Sequence, residues 1–214
     1  MWLKRLMDRF RRADEPSAQE RRVEQLLFTR SVYDSAGAFL DALLEVLEPP
    51  LDENSLARIA RELLNEQART ADLEAHLAFW SSMAERFDGN AYVIACHADT
   101  IQLTDREGAV PRFLDAFEID PTLIGEFDIR DEARDQGGTV WLRYQLATLL
   151  ADISVDDPDE DPRETYSELL EQYSGDEPAL DMIREVGVQI SHLESEDQLP
   201  RALVRRGTWR QSSD

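Results

Sequence analysis

Cysteine occurs once in the 214 residues, at Cys96, which excludes an intramolecular disulfide and any zinc module built on clustered cysteines. Lysine is equally scarce: Lys4 is the only one, and every other basic residue is arginine. With 9 Gly and 9 Pro, the composition is neither collagen-like nor low-complexity. No apolar run approaches the roughly 20 residues that a membrane-spanning helix needs, and no signal-peptide core opens the chain. Positive charge is also short: 23 Lys+Arg face 45 Asp+Glu, a formal net charge of −22. What is present is a chain 42% apolar and 32% charged, long enough for one large domain or two small ones.

The charge is segregated. Residues 1–12 carry +4 and residues 201–214 carry +3, which leaves −29 on residues 13–200. A body this acidic repels phosphate backbones and disfavours general nucleic-acid binding, while basic protein or peptide partners remain compatible with it.

Helical periodicity dominates the apolar pattern. Ala36, Phe39, Leu40, Leu43, Leu44 and Leu47 form one stripe, stopped by Pro49-Pro50. Leu56, Ile59, Ala60, Leu63 and Leu64 form the next, after the capping-type residues Asp52, Asn54 and Ser55. Leu73, Leu77, Trp80, Ala84 and Phe87 follow, then helices around 91–103 and 105–118 and a break at Asp120-Pro121. Residues 122–138 show no clean period and hold Gly137-Gly138, which predicts a loop. Val140, Leu142, Tyr144 and Leu146 alternate like a strand, but the pattern runs on through Leu149, Leu150 and Ile153, a length that favours helix. Tyr166, Leu169, Leu170 and Tyr173 mark one more helix, and Leu180, Ile183, Val186, Ile190 and Leu193 another. The expected fold class is therefore all-α, about ten helices in antiparallel hairpins, as a solenoid or an irregular bundle.

Ala75 and Phe79 recur as Ala109 and Phe113, 34 residues later, and the second copy continues with Ala116 and Pro121. The resulting A-x3-F-x2-A-x4-P resembles the second-helix half of a tetratricopeptide repeat, whose period is 34 residues. In that pattern the small alanines let paired helices approach, phenylalanine fills the groove between them, and Asp120-Pro121 ends the helix. The first-helix half departs from the family: where W-x2-L-G-x2-Y is expected, the chain has Val93, Cys96, His97 and Thr100, and Ile59, Glu62, Leu63 and Glu66 one period earlier. In the earlier copy Ser82 and Phe87 replace the later Ala and Pro. The resemblance spans residues 56–121 and implies a stacked helix-hairpin scaffold that binds a peptide or protein in a groove, with no enzyme activity.

Outside the repeat, the N-terminal segment is the sharpest feature. Trp2, Leu3, Leu6, Met7 and Phe10 share one helical face, with Lys4, Arg5, Arg9, Arg11 and Arg12 around the rest. Such a basic amphipathic helix can lie on an anionic membrane surface, dock in a partner, or fold back onto the acidic body. Residues 13–17 would be its hinge. At the other end, Arg205-Arg206 and Trp209 make a basic, aromatic tail suited to recognition or to lying across acidic helices.

Candidate chemistry is sparse. Asp157, Asp159, Asp161 and Glu168 take positions 1, 3, 5 and 12 of a calcium-loop register, but Pro162 stands where the turn requires glycine. Asp161 as helix cap, Pro162 in the first turn and Glu164 completing a capping box account for the same residues. His76, His97 and His192 are preceded three residues earlier by Leu73, Ile94 and Gln189, so the Glu-x-x-His of di-metal bundles is missing. No HExxH, paired-cysteine, GxSxG, P-loop or dinucleotide signature is present. Cys96 and His97 are adjacent in a helix and point about 100° apart, which reads as a small core residue beside a boundary histidine. Trp80, Tyr92 and Trp141 could anchor a partner, although helical spacing places each in the core.

The expected organisation is a basic N-terminal helix and hinge at 1–16, a single acidic helical domain at 17–198 with its repeat-like centre, and a basic tail at 199–214. The function expected is that of a cytoplasmic, non-catalytic interaction scaffold or adaptor for a protein or peptide, without cofactor or metal. A peripheral membrane protein tethered by the N-terminal helix and a helical ligand-binding or enzyme domain are the competing readings.

Overall fold

The structure, a computed structural model, describes residues 17–67, 72–155 and 162–195. Trp2, Leu3, Lys4, Arg5, Leu6, Met7, Arg9 and Phe10, the acidic residues 156–161 and the tail 199–214 lie outside the described residues. The fold is all-α: ten α-helices and two 3-10 turns, with no strand among the described residues. Backbone packing divides the chain into two compact units, Met1–Thr100 and Ile101–Asp214. The division falls inside the stretch 56–121.

The first unit contains α1 (Ala18–Phe28), a 3-10 turn (Arg30–Val32), α2 (Ala36–Val46), α3 (Glu53–Gln67), α4 (Leu73–Arg86) and α5 (Ala91–Ile101). Ser17 starts α1 with a capping box, its hydroxyl accepting from Glu20 N at 3.0 Å while the Glu20 carboxylate accepts from Ser17 N. α2 packs on α1 and α4, and α3 packs on the same two helices. The stripes read from the sequence bury Phe39, Leu40 and Leu43 on α2 and Leu56, Ile59 and Leu63 on α3, with Leu64 left exposed. On α4 the reading is corrected, because only Trp80 and Phe87 of that run are buried. The core face runs instead through His76, Phe79, Trp80 and Met83, with Leu73, Leu77 and Ala84 half-buried. Each large side chain taken out of water here contributes about 1.5–3 kcal/mol.

The C-terminal end of α2 is closed from outside. Gln19 of α1 donates to the Glu48 carbonyl at 3.1 Å. Arg86, in the last turn of α4, donates to the Leu44 carbonyl and, at 3.0 Å, to that of Leu47. These carbonyls have no donor within their own helix, and a cation suits the negative end of its dipole.

The second unit contains α6 (Arg106–Ile119), a 3-10 turn (Pro121–Gly125), α7 (Arg130–Gln136), α8 (Gly138–Val155), α9 (Pro162–Gln172) and α10 (Glu177–Ser195). α8 is the hub and touches α6, the 3-10 turn, α7, α9 and α10. A helix surrounded in this way has no polar stripe, which explains why residues 140–153 alternate like a strand yet fold as a helix. The loop predicted over 122–138 is corrected: the 3-10 turn and α7 occupy most of it. α7 has only seven residues and buries only Ala133, too little for a period to register. Gly137 and Gly138, at φ +64° and +51°, supply the left-handed backbone that joins α7 to α8, a conformation glycine adopts without penalty.

Candidate functional site

In the second unit, α6, α8 and α10 leave a cleft of about 320 Å³ between them. Its floor is apolar, made by Phe117 of α6, Leu146, Ala147 and Leu150 of α8, and Met182 and Val186 of α10. Phe117, Leu146, Ala147 and Val186 are buried, whereas Leu150 and Met182 are half-exposed and accessible to a ligand. The same three helices bring Glu118, Arg143 and Glu185 to its edge. The cleft follows from helical spacing: Arg143, Leu146, Ala147 and Leu150 occupy one face of α8 over two turns, about 10 Å.

Arg143 is fixed rather than free to swing. Its Nε donates to Glu118 Oε1 and its terminal nitrogen to Asp115 Oδ1, both at 2.8 Å. The Arg143 side chain is 21% exposed, against 59% for Asp115 and 61% for Glu118. Burial pulls the Arg143 pKa down, but the two carboxylate hydrogen bonds outweigh it and hold the guanidinium above its ordinary value. One cation satisfied by two carboxylates leaves the rim with an excess of negative charge. This arrangement can take an apolar side chain on the floor and a cationic group at the edge.

A second, more open cleft of about 640 Å³ lies in the first unit. It is lined by Arg21, Glu24, Gln25, Leu27 and Phe28 of α1 and by Arg58 and Glu62 of α3. The Arg58–Glu24 ion pair joins the two helices there, and Phe28 is 90% exposed at one end. Arg21, Glu24, Arg58 and Glu62 make its walls mostly charged, and Leu27 and Phe28 supply its apolar part.

His76 of α4 is the most unusual polar residue in the first unit. It is 1% exposed, and neither ring nitrogen has a hydrogen-bond partner among the described residues. Burial lowers its pKa below the usual 6.5; Glu66 and Asp72 act against that shift, and Arg30 adds to it. Arg30 itself pairs with Glu66 and lies over the Phe39 ring, 5.1 Å from its centre.

The residues singled out in the sequence fall in separate places. Ala75 is half-buried and Phe79 buried in the first unit, where Phe79 meets the Trp80 ring edge-on at 5.2 Å. Ala109, Phe113 and Ala116 are buried in the second unit, with Phe113 packed on Phe117 and Phe127. Pro121 opens the 3-10 turn after α6. Trp80 and Cys96 are core residues; Tyr92 and His97 are half-buried. Trp141 is also half-buried, stacked on Tyr144 at 5.5 Å with the Arg134 guanidinium 5.2 Å from its ring. Of the cleft residues, only Leu146, Leu150 and Val186 belong to the apolar runs read from the sequence, and there they appear simply as core. Phe117, Met182 and the carboxylates carry no local signal, because the cleft exists only where three distant helices meet.

Among the described residues, no group of three or more His, Cys, Asp or Glu side chains is placed to hold a metal ion, and no helix is long and apolar enough to cross a membrane. Compared with family models, curated proteins and solved structures, the chain matches none of them.

Proposed function

We propose that this chain is a non-catalytic interaction module that binds a cationic, amphipathic peptide or protein helix in the cleft between α6, α8 and α10. The observation that supports this reading is the pairing of an apolar floor with an edge where the carboxylates of Glu118, Asp115 and Glu185 outnumber the single cation Arg143, on a chain of net charge −22. Two turns of lining on α8 match the reach of a ligand helix offering apolar anchors at i, i+3 or i+4 and i+7. Such anchors supply most of the affinity, while the edge charges set orientation and on-rate. The partial resemblance to tetratricopeptide repeats over 56–121 agrees with a scaffold role, and a cytoplasmic adaptor is the setting this reading assumes.

The test is fluorescence anisotropy with a labelled amphipathic peptide of leucine and lysine. The full chain binds it, and Leu150→Glu or Met182→Glu weakens binding at least tenfold. An affinity indifferent to both substitutions overturns the reading. The Arg21 to Glu62 cleft then becomes the place to look, with Phe28→Glu as its probe.

A further inference from the structure

The cleft has a candidate ligand within its own unit. We propose that the C-terminal tail of this chain, residues 201–210, occupies the α6/α8/α10 cleft and competes there with the partner. This inference rests on the reading of that cleft as a peptide site.

Three observations carry it. The first is reach. Val186 lines the cleft, and α10 continues to Ser195, nine residues or about 13 Å further. Residues 196–202 then span up to about 25 Å when extended, enough to turn back and bring Leu203 and Val204 over the floor. The second is charge. Residues 101–195 hold 24 Asp+Glu against 7 Arg, whereas residues 201–210 hold four arginines and no carboxylate. An attraction of this kind between a short tail and the body carrying it is strong at low ionic strength and screened by salt. The third is side-chain order. Arg201, Leu203, Val204, Arg205 and Arg206 place two adjacent apolar residues between cations, matching an apolar floor whose edge carries Glu185 and the Glu118–Arg143–Asp115 group, in which two carboxylates outnumber the one cation. The cleft volume of about 320 Å³ lies at the low end of ligand-sized sites and suits a pair of aliphatic side chains.

A tethered tail acts as a competitor at high local concentration. With an intrinsic Kd near 0.1 mM and an effective concentration near 1 mM, it suppresses partner binding about tenfold. The tail then sets a threshold that only a tighter cationic helix overcomes.

Methionine-methyl NMR on the full chain tests this. The sequence has four methionines, Met1, Met7, Met83 and Met182; Met182 lines the cleft and Met83 reports on the core of the first unit. Two tail variants are compared with the parent, Leu203→Glu with Val204→Glu and Arg205→Glu with Arg206→Glu. The expected result is a shifted Met182 methyl signal in both, an unmoved Met83 signal, and about tenfold tighter binding of the leucine–lysine peptide. A Met182 signal and an affinity unchanged in both variants, with the peptide still bound, overturn the tail assignment and leave the cleft reading standing. A chain that binds no peptide with or without these substitutions overturns both. A Met182 shift that grows with protein concentration assigns the tail to a second copy and overturns its placement in the same chain.

Discussion

Gln136 replaces a hydrogen bond that Pro111 cannot make. Pro111 lies inside α6 and has no N–H to offer the carbonyl four residues back, that of Glu107. The Gln136 side-chain amide, at the last residue of α7, donates to that carbonyl at 3.0 Å. The same contact ties a short helix to a longer one. Gln136→Ala is expected to destabilise the chain by about 0.5–1.5 kcal/mol. Pro111→Ala restores the intrahelical donor and stabilises by about 1–3 kcal/mol, and in that background Gln136→Ala becomes nearly neutral. Urea unfolding of the four proteins in the cycle checks this; additive effects would show that the two residues do not share the carbonyl.

Gly187 of α10 behaves unlike other glycines in mid-helix. A Cβ at this position would stand 2.5 Å from the Tyr166 hydroxyl oxygen and 2.9 Å from Tyr166 Cζ. Alanine is ordinarily worth about 1 kcal/mol over glycine in a helix interior, but here it must displace a ring that packs on the core of the second unit. Burial raises the Tyr166 pKa, with the Arg184 charge acting the other way, consistent with a phenol held against protein. Gly187→Ala is expected to lower stability by about 1–3 kcal/mol. In a Tyr166→Leu background the same change raises it. Thermal unfolding distinguishes these outcomes by sign alone.

These contacts mark where sequence reading stops. The stripes of α2 and α3 were legible because each helix has one wet face, so its apolar period survives. On α4 apolar residues lie on more than one face, and the run read from the sequence shares only Trp80 and Phe87 with the face that is buried. α8 is covered on several sides and loses its stripe, and α7 is too short to have one. Gln136, Arg86 and Tyr166 act on residues 29, 39 and 21 positions away in sequence, or more, and no local pattern announces such partners. The cleft is harder still. Its floor residues obey the same periodicity as any core residue, and only packing decides that Leu150 and Met182 are left half-covered. The charge of its edge was legible in sign from the composition, but not in position.

Arg86 closes α2 through two carbonyls, those of Leu44 and Leu47. Arg86→Ala leaves both without this donor and costs about 1–2 kcal/mol, toward the lower half of the range for charged donors because water reaches part of the site. Lysine carries the charge without the planar fork, so Arg86→Lys recovers about half of that loss. The urea midpoint should rank the parent above Lys and Lys above Ala. Equal midpoints for parent and Ala would remove Arg86 from the account of how α2 ends.

His76 makes the stability of the first unit depend on pH. Its folded-state pKa is lowered, chiefly by burial, against the opposing pull of Glu66 and Asp72 and with Arg30 adding to the shift. The unfolded chain therefore binds a proton near pH 6.5 that the folded chain still refuses. The contribution of the neutral ring is fully present above about pH 6.5 and is lost as pH falls from there through the folded value. Carboxylates elsewhere also lose stability in acid, so the informative quantity is the difference between the parent and His76→Leu. Leucine removes both unpartnered nitrogens, and replacing a buried unsatisfied polar group with an apolar one is neutral or stabilising, by about 1–2 kcal/mol. Urea unfolding at half-unit steps between pH 5 and pH 8 should give curves whose separation is constant above pH 7 and widens below it, with His76→Leu the more stable. A separation that stays flat across the whole range would mean the imidazole acquires no proton on unfolding that it lacks when folded, and the argument from burial would fail.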